Sequence, residues 1–326
     1  ILAPYLGDPT KDQFETTRGT QAEYRCPFHA GGQEGTPSFF LNLDNGFSYC
    51  HTCDDWWSLA NLMKRIRVPM PVADAVLKSL GLDTPAKSLW LKRLQPDRDI
   101  ILPEALIDIF MGGGGPTLLQ EAGFTQDTLR YFEIGYDTRH NRITYPVRNV
   151  SGELIGISGG KALPHQRPKY LHYTHEQLNV FIPGVSRKCR LHVGQHLWNL
   201  NRVWARCFLG GSQEPIIVVE GFKALMWVWQ CGFRNVVCSF GASLSNVQRR
   251  LLSYFGNLLI IFFDFDENYV GQQATVKALR QFREENRIAR AFPYPERVLV
   301  SGAKTQPDDL ITDEIASGYH RSITCP

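Results

Sequence analysis

Two residue pairs, Cys26-Pro-Phe-His29 and Cys50-His-Thr-Cys53, constrain the first part of this chain more than any other feature. Each pair encloses two residues, so a tight knuckle can turn both of its ends onto one ion. Structural zinc takes four such ligands, cysteine thiolate or histidine nitrogen, in a tetrahedron. Between the pairs, "FFLNLDNGFSY" alternates along two arms around Asp44-Asn45-Gly46, a turn sequence. The spacing predicts a hairpin ribbon stapled by one zinc on Cys26, His29, Cys50 and Cys53. His51 lies inside the second knuckle and is poorly placed to reach the same ion. A closed four-ligand site leaves no coordination position for chemistry, so this part is expected to bind rather than catalyse, with the metal contributing folding free energy. Phe39, Phe47, Tyr49, Trp56 and Trp57 could stack unpaired bases; each could equally fill a small core.

The other cysteines, Cys189, Cys207, Cys231, Cys238 and Cys325, are scattered singly. That is no disulfide framework, and it points to a reducing, cytoplasmic setting. No run reads as a signal peptide or a membrane span; the longest apolar run, "LLIIFF", is strand-length and ends in carboxylates. No membrane partner is expected. A formal net charge of +3 over 326 residues is too small to mark nucleic-acid binding, so any such site must gather its basic residues locally.

Four stretches are expected. Residues 1–67 hold the zinc ribbon, with "WWSLANLMKRI" predicted as an amphipathic helix on Trp57, Leu59, Ala60, Leu62, Met63 and Ile66. Residues 68–103 read as a proline-punctuated linker containing a short helical stretch, "VADAVLKSLG". Residues 104–212 mix helix and strand signals; "RITYPVRNVSGELIGISGG" predicts two strands joined at Ser151-Gly152, and "GGGG" at 112–115 a loop tip. Residues 213–326 alternate buried strands ("PIIVVEG", "NVVCSFG", "NLLIIFFDFD") with helices ("FKALMWVWQCG", "SLSNVQRRLLSYFG", "GQQATVKALRQFREEN"). Continuous apolar strands alternating with helices imply a parallel sheet covered on both faces.

Open parallel sheets bind ligands outside the carboxyl ends of their strands. Glu220 ends one strand, and Asp264 and Asp266 end another. In Asp-x-Asp on an extended strand both side chains face one way. Three like charges converging there are unfavourable unless a divalent cation neutralises them, and oxygen ligands suit Mg2+ or Mn2+.

"VVEG", "SFGASL", "IIFFDFD" and "GQQAT", in that order, resemble the Toprim fold shared by bacterial primases, topoisomerases and some nucleases. With the Cys/His ribbon in front and "RITYPVRNVSGELIGISGGKALPHQRPKYL" between, the chain resembles the DnaG-type bacterial and phage primases over most of residues 20–312. The resemblance implies an α/β protein: an N-terminal zinc ribbon, a basic subdomain, and a Toprim parallel sheet completing an RNA polymerase domain. It carries the zinc ligands onto Cys26, His29, Cys50 and Cys53, the Toprim acids onto Glu220, Asp264 and Asp266, and a late metal-holding acid onto Asp308. It carries a basic template and nucleotide groove onto Arg142, Arg148, Lys161 and Lys169. The chain departs from the family pattern at Ala224 and Gln306, where acids are usual, in two residues inserted between Asp266 and Gly271, and in "DDWW" after the second knuckle. A helicase-binding domain would lie beyond residue 326.

The implied activity is metal-dependent synthesis of short RNA primers on single-stranded DNA, from ribonucleoside triphosphates, in replication of a phage, plasmid or mobile-element type, with a replicative helicase as a further partner. A second basic run, Arg187, Lys188, Arg190, Arg202 and Arg206, would follow the template backbone. The competing expectations are a DNA-binding module like the recombination mediators of the RecR type, whose zinc ligands are four cysteines; a catalytically weakened primase kept for DNA binding, given Ala224 and Gln306; and a Toprim nuclease.

Overall fold

The ribbon is larger than a hairpin. Five antiparallel strands form its sheet in sequence order: β1 (Lys11–Thr16), β2 (Gly19–Tyr24), β3 (Phe39–Asn42), β4 (Phe47–Cys50) and β5 (Asp55–Ser58). The predicted β3–β4 hairpin pairs Phe39 with Cys50 and Phe40 with Tyr49, and Gly46 takes the left-handed conformation its turn requires (φ 71°). One face carries the small core: Phe39, Leu41, Cys50 and Trp57 pack with Leu59, Leu62 and Met63 of helix α1 (Leu59–Arg65). Helix was expected from Trp57, but the chain stays extended to Ser58, because Tyr49 and Ser48 pair with Trp56 and Trp57 and add a fifth strand. Aromatic residues fit that half-buried pleated surface better than a first helical turn.

The computed structural model describes residues 3–16, 19–29, 32–44, 46–53, 55–66, 68, 72, 76, 100–112, 117–182 and 191–324. Most of the expected linker, Gly113 to Gly115 of the glycine run, and Arg187, Lys188, Cys189, Arg190 and Cys325 lie outside them. The chain divides into two units, Ile1–Asp97 with Val150–Glu153, and Arg98–Asn149 with Leu154–Pro326. Among the described residues, no helix is long and apolar enough to cross a membrane.

The second unit holds two four-stranded sheets. One is antiparallel, in the order β6 (Gly135–Asp137), β7 (Arg142–Arg148), β8 (Leu154–Lys161), β9 (Tyr170–His172). Its centre is the expected pair β7–β8, in register from Arg142 opposite Lys161 to Val147 opposite Gly156, with a register shift before Arg148 pairs with Leu154. Helix α2 (Ala105–Gly112) buries Leu106, Ile107 and Phe110 beside this sheet. The other sheet is parallel, in the order β11 (Val236–Cys238), β10 (Ile216–Val219), β12 (Leu259–Ile261), β13 (Ala289–Ala291). β10, β11 and β12 are buried along their whole length, as their unbroken apolar runs require; β13 is an edge strand that the sequence pattern did not mark.

The three helices read from the sequence form as α3 (Phe222–Gln230), α4 (Asn246–Ser253) and α5 (Val270–Glu284), followed by α6 (Thr312–Thr324). Ser245 and Gln248 close a capping box at the start of α4. A shared core joins the two sheets: Ile143, Tyr145, Val147 and Ile155 of the antiparallel sheet pack with Ile217, Val219 and Phe222, and Tyr145 stacks on Phe222 with centroids 4.5 Å apart.

Candidate metal centres

Ligand atoms of Cys26, His29, Cys50 and Cys53 all lie within 4.8 Å of one another. The sulfurs of Cys26 and Cys53 are 3.7 Å apart, and His29 Nδ1 is 3.0 Å from Cys53 Sγ and 3.8 Å from Cys50 Sγ. A tetrahedron with metal–sulfur bonds of about 2.3 Å has edges of about 3.8 Å, so this donor set fits zinc. One strand end and two knuckles deliver the ligands: Cys50 ends β4, Cys53 follows one tight turn later, and Cys26 follows β2 by two residues. His51 points away and meets the rings of Phe40 and Tyr49.

Glu34 was not singled out in the sequence, yet it organises this centre. Its carboxylate accepts from His29 Nε2 at 2.6 Å, from the N–H of Cys26, and from the N–H and hydroxyl of Ser38 at 3.1 and 2.7 Å. Burial works against the charged form of Glu34, but these donors outweigh it and hold the carboxyl below the usual range. The arrangement fixes the histidine tautomer with Nδ1 toward the sulfurs, as a carboxylate behind a ligating histidine does at zinc. Ser38 extends it by bringing its hydroxyl to 3.2 Å from Cys50 Sγ.

The aromatic residues divide by strand alternation. Phe39 and Trp57 are buried, whereas Phe40, Phe47 and Tyr49 are half-buried. Phe14, Phe40, Tyr49 and His51 meet ring to ring, and Lys11 Nζ lies 4.3 Å above Phe14. Phe14, Phe40 and Lys11 were missed in the sequence, where β1 itself was not visible, and His51 was weighed there only as a metal ligand. The side chain of Trp56 is outside the described residues.

In the parallel sheet, Glu220 follows β10, and Asp264 and Asp266 follow β12. Since β10 and β12 are neighbours, the acids arrive together: the N–H of Asp264 donates to Glu220 Oε1 at 3.0 Å. Burial, and then the charge of Asp264, push the Glu220 carboxyl up to about 7. Burial raises Asp264 as well, against a hydrogen bond from Gln306 and the charges of Lys169 and Lys304. Asp308 stands in a short 3-10 turn, Pro307–Asp309, where burial first and the charges of Asp309 and Asp264 after it raise its carboxyl. Among the described residues, the Cys/His group alone draws three or more ligand atoms within 4.8 Å. The carboxylates are gathered less tightly, and all are hard oxygen donors of the kind Mg2+ or Mn2+ takes.

Gly271 makes the approach of α5 to these acids feasible. A Cβ there would lie 1.9 Å from the carbonyl oxygen of Asp264, and the Gly271 N–H donates to Asp266 Oδ2 at 3.1 Å. Lys304, unmarked in the sequence, places Nζ 3.1 Å from Asp266 Oδ1.

The four expected groove residues separate into two kinds. Lys161 and Lys169 are exposed and adjacent, the N–H of Lys161 donating to the carbonyl of Lys169 at 2.9 Å. They act electrostatically on Lys223, in the first turn of α3, which also feels Asp308; burial, the largest effect, lowers Lys223 below the usual amine range. Arg142 and Arg148 correct the expectation. Arg148 is 8% exposed and held by Glu133 and Glu104 in four hydrogen bonds of 2.8–2.9 Å. Arg142 is 5% exposed and donates to the carbonyls of Gly159, Arg167 and Pro168. Both sit on β7, buried along its whole length, so their guanidinium groups turn inward to satisfy the fold. Of the second basic run, Arg202 is buried against Tyr131 and Phe132, and Arg206 is bound to Asn235 and Glu214; neither presents a free charge to a backbone.

Residues 214–292 match the Toprim domain family. The DNA primase of Deinococcus radiodurans is 26% identical over 90% of this chain and 55% of its own length, and that of Halalkalibacterium halodurans 21% identical over 91% and 53%. The DNA primase of Clostridium acetobutylicum is 31% identical over 49% of this chain and 24% of its own length. The chain thus spans about half the length of the first two. Among solved structures, the zinc-binding and RNA polymerase domains of Aquifex aeolicus primase superpose with a TM-score of 0.59 at 18% identity, covering 96% of this chain and 81% of that one. The DnaG catalytic core superposes with a TM-score of 0.51 at 19% identity, covering 67% and 78%. Residues 214–292 thus form a Toprim domain, and the chain is similar to bacterial DNA primases over most of its length, on the fold of the zinc-binding and RNA polymerase domains of such a primase.

Proposed function

We propose that this protein synthesises short RNA primers on a single-stranded DNA template. The observation that carries the proposal is the junction of Glu220 with Asp264 across neighbouring parallel strands, with Asp308 and Lys169 in its electrostatic reach. Joining two ribonucleotides requires a 3′-hydroxyl to lose its proton and attack an α-phosphate in line, the new P–O bond forming as the bond to the β-phosphate breaks and pyrophosphate leaves. Mg2+ or Mn2+ on Glu220, Asp264, Asp266 and Asp308 would supply the charge neutralisation and hydroxyl activation this step needs. Lys161, Lys169 and Lys223 would meet the triphosphate as point charges. Glu220, raised to about 7 in the metal-free fold, would give up its proton as the ion binds.

Zinc on Cys26, His29, Cys50 and Cys53 would hold the ribbon sheet, and its aromatic face of Phe14, Phe40, Tyr49 and His51 would stack unpaired template bases. One structural relative is a DnaG primase catalytic domain bound to ssDNA, and single-stranded DNA is the template assigned here. The setting proposed is replication of a phage, plasmid or mobile-element type, with a replicative helicase as a further partner.

The test is incubation with single-stranded DNA of varied sequence, labelled ribonucleotides and Mg2+ or Mn2+, beside Asp264→Ala. Short template-dependent RNA, absent with the variant, is the expected result. Shortened DNA would identify a nuclease, and binding without either product a DNA-binding protein; both outcomes overturn the proposal.

A further inference from the structure

Asp264-Phe265-Asp266 is a paired segment. Phe265 and Thr305 exchange two backbone hydrogen bonds, each 2.8 Å, in an antiparallel bridge. Residues flanking such a bridge face one another, so Gln306 comes opposite Asp264 and Lys304 opposite Asp266. The side chains follow that register. Gln306 Nε2 donates to Asp264 Oδ2, and Lys304 Nζ stands 3.1 Å from Asp266 Oδ1. A carboxylate only accepts, so the amide must turn its NH2 toward Asp264 and behaves there as a donor rather than a metal ligand. Four residues beyond Glu220, on the buried side of α3, stands the methyl group of Ala224.

We infer that Lys304 is the resident cation of this acid cluster, so that the cluster takes one divalent ion and a side-chain ammonium does the work of a second positive charge. The inference deepens the reading of the cluster as a metal-dependent centre and rests on it. A second hard cation needs its own set of anionic oxygens. Position 224 offers carbon, position 306 offers N–H donors, and one oxygen of Asp266 already faces an ammonium. The lysine also acts on Asp264 and Glu220, so its charge serves the whole cluster. Its side chain is 60% exposed on a flexible stem, so it can remain beside Asp266 or swing aside without disturbing the core.

The test is Mn2+ binding to the zinc-loaded chain, followed by electron paramagnetic resonance and calorimetry, with no nucleotide present. The unaltered chain should bind one Mn2+ that Asp264→Ala abolishes. Lys304→Ala should tighten that ion about fivefold, the scale of an exposed charge–charge coupling, whereas Lys304→Arg should leave its affinity unchanged. Lys304→Ala combined with Gln306→Asp should admit a second ion, visible as spin coupling at the roughly 3.5–4 Å separation of two-metal sites. Two coupled ions in the unaltered chain, or equal affinity with and without the lysine, overturns the inference. RNA synthesis by a chain holding two ions would sink this inference alone; one ion with no RNA made would sink only the proposed reaction.

Discussion

His29 turns Nδ1 toward the three cysteine sulfurs and Nε2 onto Glu34, 2.6 Å away. The same carboxylate collects the N–H of Cys26 and both donors of Ser38, so one side chain ties the first knuckle to the strand that leads to the second. Glu34→Ala should therefore lower zinc affinity about 10- to 100-fold without removing a ligand. Competition against a chromophoric chelator measures this, and unaltered affinity would show Glu34 to be incidental. Glu34→Gln should lose less, because an amide oxygen still accepts from His29.

The acid cluster predicts a pH dependence with a definite sign. Glu220 has its folded pKa raised to about 7, so the metal-free fold favours the protonated form. That contribution to stability is present at pH below the ordinary carboxyl value and is lost as pH rises through about 7. Metal must displace the proton, so Mn2+ affinity should climb by up to about tenfold per pH unit below 7 and flatten above it. In thermal melts, Mg2+ should raise Tm more at pH 8 than at pH 5.5. Glu220→Gln should flatten both curves; a pH-independent affinity would remove Glu220 from the site.

The Cys/His grouping and the meeting of Glu220 with Asp264 were legible because both are written in local spacing. Two knuckles flank a hairpin, and apolar strands end in carboxylates. Glu34, Lys304 and Lys223 were not legible in this way. They enter their sites through a loop, a bridge and a helix start, and such placements leave no periodic trace. Arg142 and Arg148 misled for a related reason. A basic residue in a strand of buried residues is drawn inward when carbonyls or carboxylates await it, and Glu104 is 44 residues away from Arg148 in sequence. β1 was missed because "KDQFET" is polar enough to read as loop, and only pairing with β2 holds it extended.

The two kinds of basic residue should separate experimentally. Arg148→Met removes the guanidinium that bonds both Glu133, 12% exposed at its side chain, and Glu104. A loss of about 3 kcal/mol in unfolding free energy is expected, with the salt dependence of DNA binding unchanged. Lys161→Ala with Lys169→Ala should leave Tm within about 1 °C and reduce the dependence of log K on log[salt] by one to two in slope. A change in salt slope for the arginine variant, or none for the lysines, would reverse the assignment.

Gly271 offers the most local test of how the fold holds its acids. A methyl group there would overlap the carbonyl oxygen of Asp264 at 1.9 Å and crowd Asp266 Oδ2 at 3.3 Å. Backbone on one side and the start of α5 on the other leave the clash no flexible side chain to push away. Gly271→Ala should cost about 2 kcal/mol or more in stability. It should weaken Mn2+ binding beyond what that loss explains, because the displaced residues carry the carboxylates. Gly256→Ala is the matching control: a Cβ there meets nothing within 4 Å, so stability and metal affinity should both hold. If Gly271→Ala is destabilised but binds Mn2+ as the unaltered chain does, the contact between α5 and Asp264 supports the fold and not the site.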